Sequence, residues 1–167
     1  MPASDAISSL RPARATALKD LPQILGAGPL KSGVTASLPL FLALKLAEIG
    51  AAQVDESLVM RPQDVSGLNF MEEKEEKPVK LPEDFYVRVK ATIWVLKRKG
   101  DARALGQFLA EVRRLLIKRV EKLARILAGS PEKLGDEEFA SRLTPEEKAL
   151  ALSLYLELLG FVQELLR

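Results

Sequence analysis

Residues 144–167 read TPEEKALALSLYLELLGFVQELLR, and the architecture turns on this stretch. Thr144 is placed as a helix N-cap, Pro145 as the first helical residue and Glu147 as the reciprocal acceptor of a capping box. The helix that follows is expected to run to Arg167. Leu150, Leu152, Leu154, Tyr155, Leu156, Leu158, Leu159, Phe161, Val162, Leu165 and Leu166 cover well over half of its wheel, leaving Ser153, Glu157, Gly160 and Glu164 as a narrow polar stripe. A surface helix needs an apolar stripe of only about 100°. A domain of three or four helices has no room to bury the surplus, so another chain is expected to cover it.

Upstream, a first long helix is expected over Glu83–Lys99, ended by Gly100, and a second from a cap at Asp101 to about Ala128, stopped by Gly129. Ser130-Pro131-Glu132 starts a short third element. On the first helix Phe85, Tyr86, Val89, Ile93 and Leu96 share one side while Val87, Trp94 and Val95 point elsewhere, again more apolar surface than one face can bury. On the second, Leu105, Phe108, Leu109, Val112, Leu115, Leu116, Val120, Leu123, Ile126 and Leu127 form one arc, and Arg119 projects into its middle. A buried guanidinium needs a carboxylate, so Arg119 is expected to meet an acid across a helix or subunit contact. The alternative is that it snorkels to the rim. The expected interface residues are Tyr86, Trp94, Arg119, Leu152, Tyr155, Leu156, Leu159 and Val162.

Lys97 to Arg125 holds ten Lys or Arg against three Asp or Glu. Arg114, Lys118, Lys122 and Arg125 are therefore candidate contacts for a nucleic-acid backbone, giving a second functional reading as a nucleic-acid-binding protein using the basic helix 97–125. No exposed aromatic is interleaved with them for base stacking.

The first part of the chain is rich in turn signals: Pro12, Pro22, Gly26, Gly28, Pro29, Gly33 and Pro39. Short strands are expected near Arg14–Asp20, Val34–Leu38 and Ala51–Val54, with a helix from Pro39 to Ile49. Glu72-Glu73-Lys74-Glu75-Glu76-Lys77-Pro78 reads as a solvated linker. The expected fold is α+β: a small β-rich domain over residues 1–68, a charged linker over 69–81 and a mainly α-helical bundle domain over 82–167.

Composition narrows the chemistry. Of 167 residues 47% are apolar and 29% charged, with a net charge of +2, which fits a globular chain better than a coat for nucleic acid. There is no cysteine, so no thiol nucleophile or Cys-based zinc site, and no histidine, the commonest general base at neutral pH and transition-metal ligand. Gly28-Pro29-Leu30-Lys31-Ser32-Gly33-Val34-Thr35 comes near a phosphate-binding loop, but Val34 stands where a lysine must reach the phosphates and Pro29 removes an N–H donor. The acidic clusters at Glu72–Glu76 and Asp136–Glu138 lack calcium-loop spacing. No catalytic, cofactor or metal residues are assigned. Asn69 is the only asparagine, and with many Lys, Arg and Glu this suggests a thermophile. No export or membrane-spanning segment is read, so an intracellular, soluble protein is expected.

The segment Gly28-Pro29-Leu30, Gly33 and Leu38-Pro39-Leu40-Phe41-Leu42-Ala43-Leu44-Lys45-Leu46 resembles GINS subunits of the two-three type, which show a Gly-Pro-aromatic turn, a glycine and a Val-Pro-Leu-Trp-Leu-Ala helix start. Leu81-Pro82 with Phe85-Tyr86 is similar to the opening of that family's helical domain, and Leu143-Thr144-Pro145-Glu146-Glu147 to the start of its final helix. Leu38, Phe41 and Leu30 depart from the family's valine, tryptophan and aromatic, and no proline stands near Asp55. The resemblance implies an archaeal, cytoplasmic and nucleoid-associated scaffold subunit without catalytic residues. It implies an obligate oligomer: a heterotetramer with GINS subunits of the five-one type, supporting the MCM replicative helicase together with a RecJ-like protein.

Overall fold

The computed structural model describes residues 3–24 and 28–166; the turn signal at Gly26 and the expected helix end at Arg167 lie outside the described residues. In chain order it contains helix α1 (Ala3–Leu10), strands β1 (Pro12–Ala17) and β2 (Thr35–Pro39), helix α2 (Leu40–Glu48) and strand β3 (Ala52–Val54). A 3-10 turn (Glu56–Leu58) leads into α3 (Pro62–Lys74), α4 (Phe85–Lys99) and α5 (Ala102–Gly129). A second 3-10 turn (Pro131–Gly135), α6 (Glu137–Ser141) and α7 (Pro145–Leu165) complete it. A small antiparallel sheet followed by a helical bundle is the α+β arrangement that the residue patterns imply.

The chain forms two compact units, and they interleave in sequence. The sheet unit comprises Ala6–Met60 and Asp84–Leu105. Its strands lie in the order β2-β1-β3, all antiparallel, with Ala15 opposite both Ala36 and Val54. Ala13, Ala15 and Ala17 alternate inward along β1, and their small side chains leave room for α2, whose Leu40, Leu42, Ala43, Leu46 and Ala47 are buried. The sheet alone is too small to bury its inner face. α4 completes the core by packing Val87 and Ala91 against it, which is why α4 belongs to this unit rather than to the bundle expected over 82–167. Thr92 ties the helix to the chain below the sheet: its Oγ1 accepts the Met60 N–H (2.9 Å) and donates to the Arg88 carbonyl (2.7 Å).

The glycine-rich stretch joins β1 to β2 and opens no phosphate-binding helix. Leu21 and Leu30 bridge, and the Asp20 carboxylate accepts the Ser32 N–H (2.9 Å) and Lys31 Nζ (3.1 Å). Those bonds, the Ser32 N–H first, hold the Asp20 carboxyl below its ordinary value. Gly33 turns at φ 83°, a left-handed backbone that suits glycine.

The bundle unit comprises Arg61–Glu83 and the chain from Gly106 onward, together with the first residues of α1 up to Asp5. Its α3 corrects the linker expected over 69–81. Pro62 occupies the first turn, and Asp64 accepts the Arg61 N–H at 2.8 Å, so the helix starts firmly and continues through Lys74. Its inward stripe is Val65, Asn69 and Glu72, one apolar residue and two polar ones. Asn69 Nδ2 donates to Glu111 Oε2 (2.8 Å) and to the Glu111 carbonyl (3.0 Å), and Pro78 and Val79 are buried as well. At the other end Leu123, Leu127, Phe139, Leu143 and Ala151 form an apolar core joining α5, α6 and α7.

Candidate subunit interface

The first turns of α7 are fixed by its cap and by charge. Glu147 N–H donates to Thr144 Oγ1 (3.3 Å), and Glu147 Oε2 accepts the Thr144 N–H (3.0 Å), closing the capping box. The same Glu147 carboxylate receives Arg119 in a fork, Nε to Oε1 at 2.5 Å and Nη2 to Oε2 at 2.8 Å. Arg119 is 1% exposed. Its Nη1 donates to Glu72 Oε2 (2.7 Å) and to the Val79 carbonyl (2.8 Å). Lys122 Nζ lies 2.7 Å from Glu72 Oε1 and gives its hydrogen bonds to the carbonyls of Glu72 (2.6 Å) and Glu75 (2.8 Å). Two cations and two carboxylates thus neutralise one another inside the bundle, where an uncompensated charge would cost several kcal/mol.

This cluster revises two expectations. Arg119 meets acids, as expected of a buried guanidinium, and does so across helix contacts within its own chain rather than at a subunit interface. Lys122, expected to meet a nucleic-acid backbone, is buried with its ammonium spent on a carboxylate and two carbonyls. Arg114 Nη2 (3.7 Å) and Lys118 Nζ (3.2 Å) both face Glu73, which offsets their charge at the surface, while Arg125 is exposed. Helix α5 therefore does not present the four as one free basic face. The others of the expected set lie elsewhere: Tyr86 is half-buried, its ring edge-on to Phe85 with centroids 5.2 Å apart, and Trp94 packs half-buried on the sheet unit's core.

Beyond Ala151 the character of α7 changes. Positions 147, 151, 154, 158 and 165 follow one line along the helix. Glu147 and Ala151 are buried and Leu154 is half-buried, but Leu158 and Leu165 on the same line are exposed. The helix outruns the core of its own unit. Leu152, Leu156, Leu159 and Phe161 are exposed on the flanks, Leu156 at 56% and Phe161 at 61%, with Val162 and Leu166 beyond them. Of the expected interface residues, Leu152, Leu156, Leu159 and Val162 lie on this surface and Tyr155 at its half-buried margin. Phe161, Leu165 and Leu166 belong to it equally, and the same wheel would have found them.

Exposed apolar surface on this scale is of the kind through which proteins associate. A shallower apolar stripe, which the sequence reading missed in part, runs along α5 through Leu109, Ile117 and Val120. Among the described residues no cluster of potential ligands could hold a metal ion, and no helix is long and apolar enough to cross a membrane.

Comparison with curated proteins gave no match. The profile of the family described as "Sld5: GINS complex protein helical bundle domain" matches residues 64–166, well over half of the chain and all of it from within α3 to the end of α7. That span includes the buried charge cluster and the uncovered half of α7, and by it the chain belongs to the GINS family, with a role in the GINS replication complex.

Proposed function

We propose that this chain is a non-catalytic scaffold subunit of the two-three type, which assembles with a GINS subunit of the five-one type by covering the distal half of α7. The observation that carries the reading is the exposed apolar surface from Leu152 to Leu166 on a helix that the family profile includes. Full burial of one such leucine stabilises an assembly by roughly 1.5–3 kcal/mol, so a few suffice for a lasting contact. The two-three assignment is supported by domain order, the small sheet preceding the matched segment. In that role the assembled complex supports the MCM helicase together with a RecJ-like protein, in the archaeal cytoplasm at the nucleoid.

Co-expression with a five-one subunit tests the reading. The wild-type chain is expected to co-purify, and a Leu156→Glu/Val162→Glu double variant to lose its partner while remaining folded. Undiminished co-purification of the double variant contradicts it. Salt-dependent DNA binding by the isolated chain would favour the basic-helix reading instead.

A further inference from the structure

The end of α4 passes from apolar to basic within one turn. Trp94 and Val95 are half-buried, and the Lys97, Arg98 and Lys99 that follow are exposed. Cations in a last turn ordinarily point to water, where they complement the helix dipole. Arg98 instead turns back along its helix. Its guanidinium lies over the Trp94 ring, 5.2 Å from the centroid, and donates to the Ala47 carbonyl of α2. Two contacts thus fix one cation beside the only tryptophan of the chain. Lys99 has no carboxylate paired with it among the described residues.

These residues border a cleft of ≈ 530 Å³ within the sheet unit, a volume in the range of ligand sites. Its lining changes in character with depth. Ala47, Ala52 and Val54 are buried and make the floor. Trp94 and Val95 form a half-buried wall, and Leu18, 49% exposed, stands at the rim with Arg98, Lys99 and one acid, Glu56. A site for a small polar ligand places a few polar groups inside, where they fix its orientation. Here the charged side chains are all at the rim and the floor is apolar. That distribution suits an apolar side chain entering from a larger molecule whose own polar backbone stays outside.

We infer that this cleft takes one large apolar side chain, aromatic or leucine, from an acidic segment of a partner protein. The side chain rests over the alanine floor against Val95 and the Trp94 ring, beside Leu18, and the flanking carboxylates meet Lys99 and Arg98. Two cations against one acid in the lining set the sign of charge that the segment must carry. Burial of the anchor supplies the affinity, and the rim charges supply the selection. The cleft belongs to the sheet unit and the α7 surface to the bundle unit, and the inference does not rest on subunit assembly.

The probe is a terminally blocked pentapeptide with one phenylalanine between pairs of glutamates, titrated against the full-length chain while tryptophan emission is followed. Because Trp94 is the only tryptophan, that signal reports on the cleft. A saturable shift at submillimolar peptide is expected. Alanine in place of the peptide's phenylalanine should weaken binding about thirtyfold, as loss of a buried anchor does. Lys99→Glu should weaken it about fivefold and flatten its salt dependence. Leu18→Glu should weaken it too, and both positions are exposed, so the urea midpoints of the variants should stay in place. Leu156→Glu should bind the peptide as the wild type does. Equal binding of the alanine peptide, no shift at millimolar peptide, or indifference to Lys99→Glu overturns the inference. Loss of binding in Leu156→Glu overturns it as well, because the peptide then sits on α7. So does a Trp94 emission that shifts with the concentration of the Leu156→Glu variant alone, because a second copy then fills the cleft.

Discussion

The two halves of α7 invert the usual rule about where polar and apolar residues belong. In its first two turns a glutamate is buried and satisfied: Glu147 closes a capping box and receives the fork of Arg119, with Glu72 and Lys122 completing a neutral cluster. In its last four turns the leucines are in water, Leu156 and Leu165 more than half exposed. Position along the helix does not explain this by itself, since Leu154 and Leu158 are one turn apart on the same line. What differs is what the chain itself provides. The charged half has partners waiting on α3 and α5, whereas the greasy half has none within its own unit. A buried ion pair adds little net stability over a hydrophobic replacement, yet breaking it is severe. Specification of one packing is the role that fits the cluster, and association the role that fits the leucines.

Loss of Arg119 is expected to have the largest effect. Arg119→Met leaves Glu72 and Glu147 buried with too little positive charge and is expected to cost about 3–5 kcal/mol, read as a lower urea midpoint. If the variant keeps its midpoint, the cluster does not hold the bundle. In the distal half the expectation is reversed. Leu156→Glu should change the stability of the isolated chain by no more than about 0.5 kcal/mol, because nothing in its own unit covers the residue. The same substitution should weaken subunit association by about 2 kcal/mol or more, some thirtyfold in a titration with the partner subunit.

Between these extremes lies the cap. Thr144→Ala removes the acceptor for Glu147 N–H and should cost about 1 kcal/mol in urea unfolding. A larger loss would show that the cap also positions Glu147 for Arg119. The smallest effect concerns acid. Asp136 is held below its ordinary 3.8 by Lys133 first and then by the Phe139 N–H, and Glu138 below its ordinary 4.5 chiefly by Lys77. A carboxyl depressed in the folded state contributes stability that is present above its ordinary value and lost as pH falls through the depressed one. The thermal midpoint should therefore be flat from pH 7 to 5 and decline below about pH 4.5, with Glu138→Gln trimming the decline. Glu138 is exposed and Asp136 partly so, and salt should mute the effect.

How legible these features are in sequence follows from the physics of each. The start of α7 is readable because a capping box is local: four consecutive residues carry it. The stop at Gly100 and the cap at Asp101 are local too, the first at φ 69° and the second accepting the Ala104 N–H at 2.9 Å. The strands of the small sheet are found within a few residues because turn residues bound them. Helix α3 is not readable by periodicity, since its inward stripe is Val65, Asn69 and Glu72 and two of the three look like surface. Its one local signal, Pro62 with Asp64 two residues on, was available and weak. Glu72 sits in a run of charges that reads as solvated, and only the distant Arg119 and Lys122 make it interior. The membership of α4 in the sheet unit is likewise a matter of volume: alanines on β1 and α2 leave space that Val87 and Ala91 fill. Residue pattern gives the apolar excess of α7 but not the point where its own core ends, because Leu154 and Leu158 are the same residue on the same line and differ in what stands opposite.

The most direct test is the solution mass, by light scattering, of the full-length chain alone and co-expressed with a five-one GINS subunit. One stable species near four chains is expected on co-expression, with self-association or poor solubility of the chain alone through α7. Two separate peaks, with this chain a well-behaved monomer whose distal α7 amides are as protected as those of α5, would contradict it.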